Sequence, residues 1–229
     1  MEEIDIKNKK KDEKPLTYNK NLTCPVCENK FSVPAVKSYS ARILKKNTDF
    51  FIEYDKINPY FYDIWLCPNC GYAALKSDFE KIKKSSIEDI EQNIHKRWTK
   101  RVYPEKFDVD IAIERYKMAL LNYAVTDSKS SQKGYVCLKL SWMYRIKGDV
   151  KNEQYFAQSA LESFINAYYN EDFPFYGMDK STVQYLIGEL YRRKGEKDEA
   201  LRWFGQVIVS REASSTIKEK AKDQKDLLK

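Results

Sequence analysis

The sequence predicts an α+β, mostly α protein, with a small β module in the front third and an antiparallel array of helices behind it. Three observations support that class. Two Cys-x-x-Cys pairs, Cys24–Cys27 and Cys67–Cys70, bracket stretches of extended-chain formers. From Asp108 onward apolar residues recur at three- and four-residue steps, the period of a helix with one buried face. Within those helices a small residue, a Tyr and a Gly recur 47 residues apart, at Ser141, Tyr144 and Gly148 and again at Gly188, Tyr191 and Gly195.

Residues 1–20 mix Lys with Glu and Asp and hold few apolar groups, so a disordered tail is expected there. Residues 21–76 read as a zinc ribbon. Cys24, Cys27, Cys67 and Cys70 supply four thiolates, which close a tetrahedral structural Zn2+ site and leave no position for a substrate. Domains of about 60 residues are marginal without such help, and a structural zinc ion contributes roughly 10–16 kcal/mol of apparent binding free energy. Phe31–Val33 and Ser40–Tyr54 look extended, Asn58-Pro59 marks a turn, and Tyr60–Leu66 favours β structure, so a single small sheet is expected between the knuckles. The 39 residues between the pairs exceed the roughly 15–20 of the common spacing, which implies an inserted hairpin or loop. Asn29 and Gly71 suit the positive φ that knuckle turns need.

Residues 77–107 are expected to be connecting helices. Ser77-Asp78-Phe79-Glu80 has the capping-box form, and Ser86 opens a second helix whose Ile87, Ile90, Ile94 and Trp98 share a face. Residues 108–229 follow as a helical domain, with helices expected at 109–126, 133–147, 151–169, 180–194, 197–210 and 214–228. Ala200, Phe204 and Val207 follow Gly188 and Tyr191 at the offsets of a tetratricopeptide motif. The first pair matches more loosely, with Glu153 where a small residue is expected. An insertion around Phe173–Gly177 accounts for the long period, and the first and last helices of this domain serve as caps. In tetratricopeptide geometry Tyr135, Leu138, Trp142 and Arg145, then Tyr185, Glu189, Arg192 and Arg193, line a concave surface. Aromatic and Arg side chains are what binding hot spots use, and Arg grips carboxylates in two-pronged fashion. The competing reading packs Trp142 and Tyr185 against neighbouring helices and leaves the arginines solvated or paired with Glu189.

Cys-Pro-x-Cys-x-x-x-Phe at 24–31, Cys-Pro-Asn-Cys-Gly-Tyr-Ala at 67–73, Trp142–Arg145, Phe173-Pro174, Tyr185–Arg193 and Ala221–Gln224 together resemble the bacterial domain-of-unknown-function family 2225. The resemblance covers nearly the whole chain after the tail. It implies a bacterial zinc-ribbon protein with a tetratricopeptide-like C-terminal half, and it carries over the four cysteines as metal ligands. It brings no activity.

The chain has 229 residues, a net charge of +7, 42% hydrophobic and 33% charged residues, which suits one or two soluble domains. No stretch approaches the roughly 18 apolar residues of a membrane-spanning helix, and the polar N-terminus lacks a secretory signal. A cytoplasmic location is therefore expected, where thiols stay reduced and paired knuckles read as metal sites. Residues 81–106 hold eight basic and four acidic side chains, and Lys96-Arg97-Trp98-Thr99-Lys100-Arg101 is the best case for nucleic-acid contact. Tyr60, Phe61, Tyr62, Trp65 and Tyr72 crowd the second knuckle, and core or seam is favoured over base stacking because their segment carries no net positive charge. Cys137 reads as a buried small hydrophobe and His95, the sole histidine, as a surface residue. No phosphate loop, nucleophile elbow or His-bearing metal motif is present, so no enzyme is expected. The sequence thus points to an adaptor that binds a protein or peptide with acidic groups; the alternative is nucleic acid, bound through the ribbon and residues 96–101.

Overall fold

The computed structural model describes residues 15–228. Most of the expected 1–20 tail lies outside the described residues, but its end does not: strand β1 runs over Thr17–Thr23. Its Lys and Asn residues mask strand propensity, and the ladder comes from its antiparallel partner β2, Lys30–Val36, in the register Thr17 opposite Val36 through Thr23 opposite Lys30. The front module is three two-stranded hairpins, in place of the single sheet expected: β1–β2, then β3 (Ile43–Lys46) with β4 (Ile52–Tyr54), then β5 (Ile64–Leu66) with β6 (Ala73–Leu75). The physical reason is local. Each cysteine knuckle is itself the turn of one hairpin, and the long insertion pairs with itself.

Residues 77–107 hold one short helix, α1 at Ile87–Asn93, among three 3-10 turns at Phe79–Lys81, Lys84–Ser86 and His95–Arg97. Neither Ser77 nor Ser86 caps a helix through its side chain. The Asp78 carboxylate instead accepts hydrogen bonds from Tyr123 Oη (2.8 Å), Tyr176 Oη (2.5 Å) and Gln132 Nε2 (3.3 Å), tying the segment to the helical half. Phe79 is fully buried against Phe31, Trp65 and Tyr72. The segment is therefore part of the ribbon's core, and an apolar residue meeting the ribbon decides its path more than helix propensity does.

The remaining helices lie close to expectation: α2 Val109–Val125, α3 Ser130–Lys147, α4 Val150–Asn170, α5 Lys180–Lys194, α6 Lys197–Val209 and α7 Ser215–Asp226. The repeated Gly has one job in both pairs. Gly148 (φ +77°) and Gly195 (φ +88°) end α3 and α5 in the left-handed conformation. Asp149 N then donates to Tyr144 O, and Glu196 N to Tyr191 O, each at 3.0 Å, the closure that absorbs helix-end carbonyls. The small residue matters where a partner ring comes close: a Cβ on Gly188 would lie 2.8 Å from the Phe204 ring.

Helix α2 joins the two halves. Arg115 donates to Ile64 O (2.6 Å), Tyr116 Oη to Tyr60 O (2.9 Å), and Tyr123 Oη accepts from Leu75 N (3.1 Å). One apolar core runs without a break from Leu22 in β1 to Trp203 in α6.

Candidate metal centre and helical groove

The two knuckles have the same backbone plan. Cys24 N donates to Asn29 O (3.0 Å) and Glu28 N to Cys24 O (3.0 Å); Cys67 N donates to Tyr72 O (2.8 Å) and Gly71 N to Cys67 O (3.1 Å). The fourth residue after the leading cysteine is left-handed in each, Glu28 at φ +58° and Gly71 at φ +75°. Asn29, expected in that role, lies one place too far along. Gly71 has a second constraint, since Trp98 lies over it: a Cβ there would sit 2.7 Å from the indole. Trp98 also donates Nε1–H to Pro68 O (2.9 Å), so this ring clasps the second knuckle instead of extending the α1 stripe.

The four sulfurs converge within 4.8 Å of one another. Cys24 Sγ lies 3.6 Å from Cys70 Sγ, and Cys27 Sγ lies 3.7 Å from Cys67 Sγ. A tetrahedral ion with metal–sulfur bonds of about 2.3 Å needs sulfurs about 3.8 Å apart, so the donors fit a metal ion. Asn69 Nδ2 approaches Cys27 Sγ at 3.5 Å, a donor aimed at prospective thiolate. Among themselves the sulfurs divide unequally. Hydrogen bonds from Cys24 and Cys70 hold Cys67 far below the usual thiol range, while its bond to Cys67 pushes Cys24 up and its bond to Cys24 pushes Cys70 up. Four thiolates side by side require a cation's charge.

The other cysteine, Cys137, is buried in α3 with its thiol pushed up to about 12 by burial, a poor nucleophile. His95 is exposed. Tyr60, Tyr62, Trp65 and Tyr72 are buried, with Tyr62 stacked on Phe107 at 4.9 Å and the Tyr60 ring tilted against Trp142 at 5.2 Å. They form core and seam. In the basic stretch Lys96, Arg97 and Lys100 are exposed.

The expected concave residues converge, but on a segment of the same chain. The tip of the β3–β4 hairpin reaches across to α3 and α5. Asp49, with no exposed surface, accepts from Trp142 Nε1 (3.2 Å) and Arg145 Nη2 (2.7 Å), with Arg193 Nη2 at 3.4 Å. Thr48 Oγ1 donates to Glu189 Oε1 (2.6 Å), and Tyr185 Oη donates to Thr48 O (2.9 Å). Arg192 and Arg193 both hold Glu189. Leu138 is buried, and Tyr135 stacks on Tyr176 at 4.2 Å, away from the tip. The acid that meets Arg145 and Arg193 is thus Asp49. Thr48 and Asp49 are not among the residues expected at the groove; the local signal for them is an acidic-aromatic run at the crown of the insertion, where polar turn residues are usual.

Beside this contact an open cleft of about 790 Å³ lies between α3, α4 and α5. Val150, Tyr155, Leu161 and Leu190 supply its apolar walls, and Arg145, Lys151, Glu153, Arg193 and Lys194 its charged ones, with Arg145 paired to Glu153 and Lys194 to Glu196. It opens where the two helix pairs differ: the place of Phe204 in the second pair is taken by Ala157 in the first, and Ala157 lines the cleft. Arg145 Nη1 is buried there without a partner.

No solved structure matches the chain. An uncharacterized protein of Borreliella burgdorferi is 30% identical over 94 residues, a segment covering 37% of this chain and 34% of that protein. The sequence model for uncharacterized proteins conserved in bacteria, domain-of-unknown-function family 2225, matches residues 17–228. That span takes in both knuckles and the seven helices of the described residues, and the chain belongs to this family.

Proposed function

We propose that the protein is a non-enzymatic adaptor, folded around a structural Zn2+ ion, that binds an acidic protein segment in the cleft between α3, α4 and α5. Four thiolates at tetrahedral spacing suit zinc and fill its coordination sphere, so the ion shapes the ribbon without reacting. The observation that carries the adaptor reading is the cleft's lining. Val150 and Tyr155 are exposed, apolar surface of the kind that marks interaction sites. Lys151 and Lys194 in its lining, which take no part in holding Asp49, favour an acidic partner. The tetratricopeptide-like pairing of α3 with α4 and α5 with α6 fits this use, and a reducing, cytoplasmic setting fits free thiols.

The test is capture of partners from bacterial extract with the full chain and with Lys151→Glu plus Lys194→Glu. An acidic protein held by the first and lost by the second, at unchanged metal content and melting temperature, supports the reading. Retention by both ends it. The second reading, nucleic acid, is favoured by exposed Lys96, Arg97 and Lys100 beside the second knuckle. Recovery of nucleic acid that falls off steeply with salt would establish it in place of the first.

A further inference from the structure

The hairpin tip Asn47–Phe51 meets the helices as a bound peptide would. A carboxylate (Asp49), a hydroxyl (Thr48 Oγ1) and a backbone carbonyl (Thr48 O) are each read by a separate helical side chain. Two aromatic rings follow the acid. Phe50 lies 5.4 Å from the Tyr185 ring and Phe51 5.7 Å from Trp142. The tip has hydrogen bonds of its own, from Asn47 N to Phe51 O (2.7 Å), Phe50 N to Asn47 O (3.1 Å) and Asn47 Nδ2 to Glu53 Oε1 (2.9 Å), but the strands behind it are thinly held. β3 is exposed along its whole length, the β3–β4 ladder joins no other strand among the described residues, and its register is broken between Ile43 and Lys45. Two-stranded hairpins are marginal alone. Phe50 is also held at φ +66°, a conformation that disfavours a bulky side chain. Phe51 and Tyr54 pack on Tyr60, and the rest of the attachment is made by the tip contacts.

We propose that the surface formed by Trp142, Arg145, Tyr185, Glu189 and Arg193 is a peptide site for segments presenting a carboxylate followed by aromatic side chains, and that the tip occupies it in cis until such a segment of a partner protein exchanges with it. Charge and shape complementarity to that chemistry are already displayed by the Asp49 and Phe51 side chains. The site is distinct from the open cleft and stands without the reading of it. The two surfaces share Arg145 and Arg193, so the test alters neither. An occupant tethered by a short linker acts at an effective concentration of about 1 mM. A peptide binding the open site at about 10 μM would then bind the intact chain on the order of 100-fold more weakly.

The experiment uses the full, metal-loaded chain carrying Thr48→Gly, Asp49→Ser, Phe50→Gly and Phe51→Ser. The probe is a fluorescent peptide of the sequence Lys46–Ile52, read by anisotropy. Saturable binding to the variant, on the order of 100-fold weaker binding to the intact chain, and about 10-fold loss when the peptide carries Asp49→Asn support the proposal. Absence of binding by the folded variant, equal binding by the intact chain, or indifference to the peptide's carboxylate overturns it. If the variant fails to fold, Asp49→Asn in the intact chain replaces it: weakened tip contacts should raise peptide affinity, and no gain overturns the proposal. A dimer of the intact chain that grows with concentration and vanishes with the tip substitutions would assign the site to a second copy and overturn the partner reading. The cleft is tested with extract and this site with the Lys46–Ile52 peptide, so the two can fail separately.

Discussion

Lys139 of α3 and Asp63, just before β5, form a buried ion pair of 2.6 Å that pins the helical array to the ribbon. The ammonium lies 4.3 Å from the Tyr60 ring and 4.9 Å from Tyr135, so aromatic faces add to the attraction. Lys76 holds the other Asp63 oxygen at 2.7 Å. Burial pushes the Asp63 carboxyl up, and the two ammoniums more than reverse this, leaving it below its ordinary value. Burial pulls Lys139 down, and Asp63 outweighs it, leaving it raised.

The stability that follows has a defined pH window. Asp63 contributes above its unfolded value of about 3.9, and the contribution is lost as pH falls through its lowered folded value. Lys139 contributes below about 10.4, and that is lost as pH rises through its raised folded value. Removing one partner strands a buried charge, so Lys139→Met or Asp63→Asn should lower stability at pH 7 by about 3–5 kcal/mol. Lys139→Met with Asp63→Leu should recover most of the loss and flatten the pH dependence near pH 3. Urea titrations across pH decide it; single variants within 1 kcal/mol of wild type would show the pair to be idle.

How far the sequence revealed this arrangement depends on whether the relevant signal was local. The helices from α2 to α7 were legible because the apolar period and the recurring Gly act within a few residues; the structure adds Asp108, Asp149 and Asp179, each accepting from a first-turn N–H. The four-sulfur centre was legible because knuckle spacing is a covalent constraint. The three separate hairpins were not, since strand pairing is set by partners elsewhere in the chain. The occupant of the groove was least legible of all. Asp49 lies 93 residues from Trp142 and Thr48 lies 141 from Glu189, and no periodicity encodes such a meeting.

Gly71 and Gly148 offer a controlled comparison at the first of these signals. Both are left-handed, but Gly148 has open space where a Cβ would stand, and Gly71 has the Trp98 ring 2.7 Å away. Gly148→Ala should cost about 1–2 kcal/mol for the backbone alone. Gly71→Ala should cost more and weaken metal retention, because Trp98 must leave the knuckle. In a Trp98→Ala background the two glycine substitutions should cost the same. A persistent difference there would mean that Trp98 does not account for the requirement.

Because the apolar core is continuous from β1 to α6, metal loss should not melt the ribbon alone. Chelation, or Cys70→Ser, should move one cooperative thermal transition downward, with circular dichroism of the helices and tryptophan fluorescence changing together. Elemental analysis of the untreated protein should give one divalent ion per chain. Two resolved transitions would show that ribbon and helices fold independently.

Trp142 separates a binding role from a structural one. Its indole donates to Asp49, and its ring lies 5.2 Å from Tyr60 and 5.7 Å from Phe51, with almost none of its surface exposed. Trp142→Ala should therefore lower stability by about 3–5 kcal/mol, through the cavity it leaves, and would not serve as a clean binding-site knockout. Trp142→Phe keeps most of the packing but withdraws a donor from a buried carboxylate, for about 1–3 kcal/mol. Adding Asp49→Asn to Trp142→Phe should then cost less than the sum of the two, since each acts on the same hydrogen bond. Strict additivity in urea denaturation would mean that the bond between α3 and the hairpin tip contributes nothing to holding the tip in place.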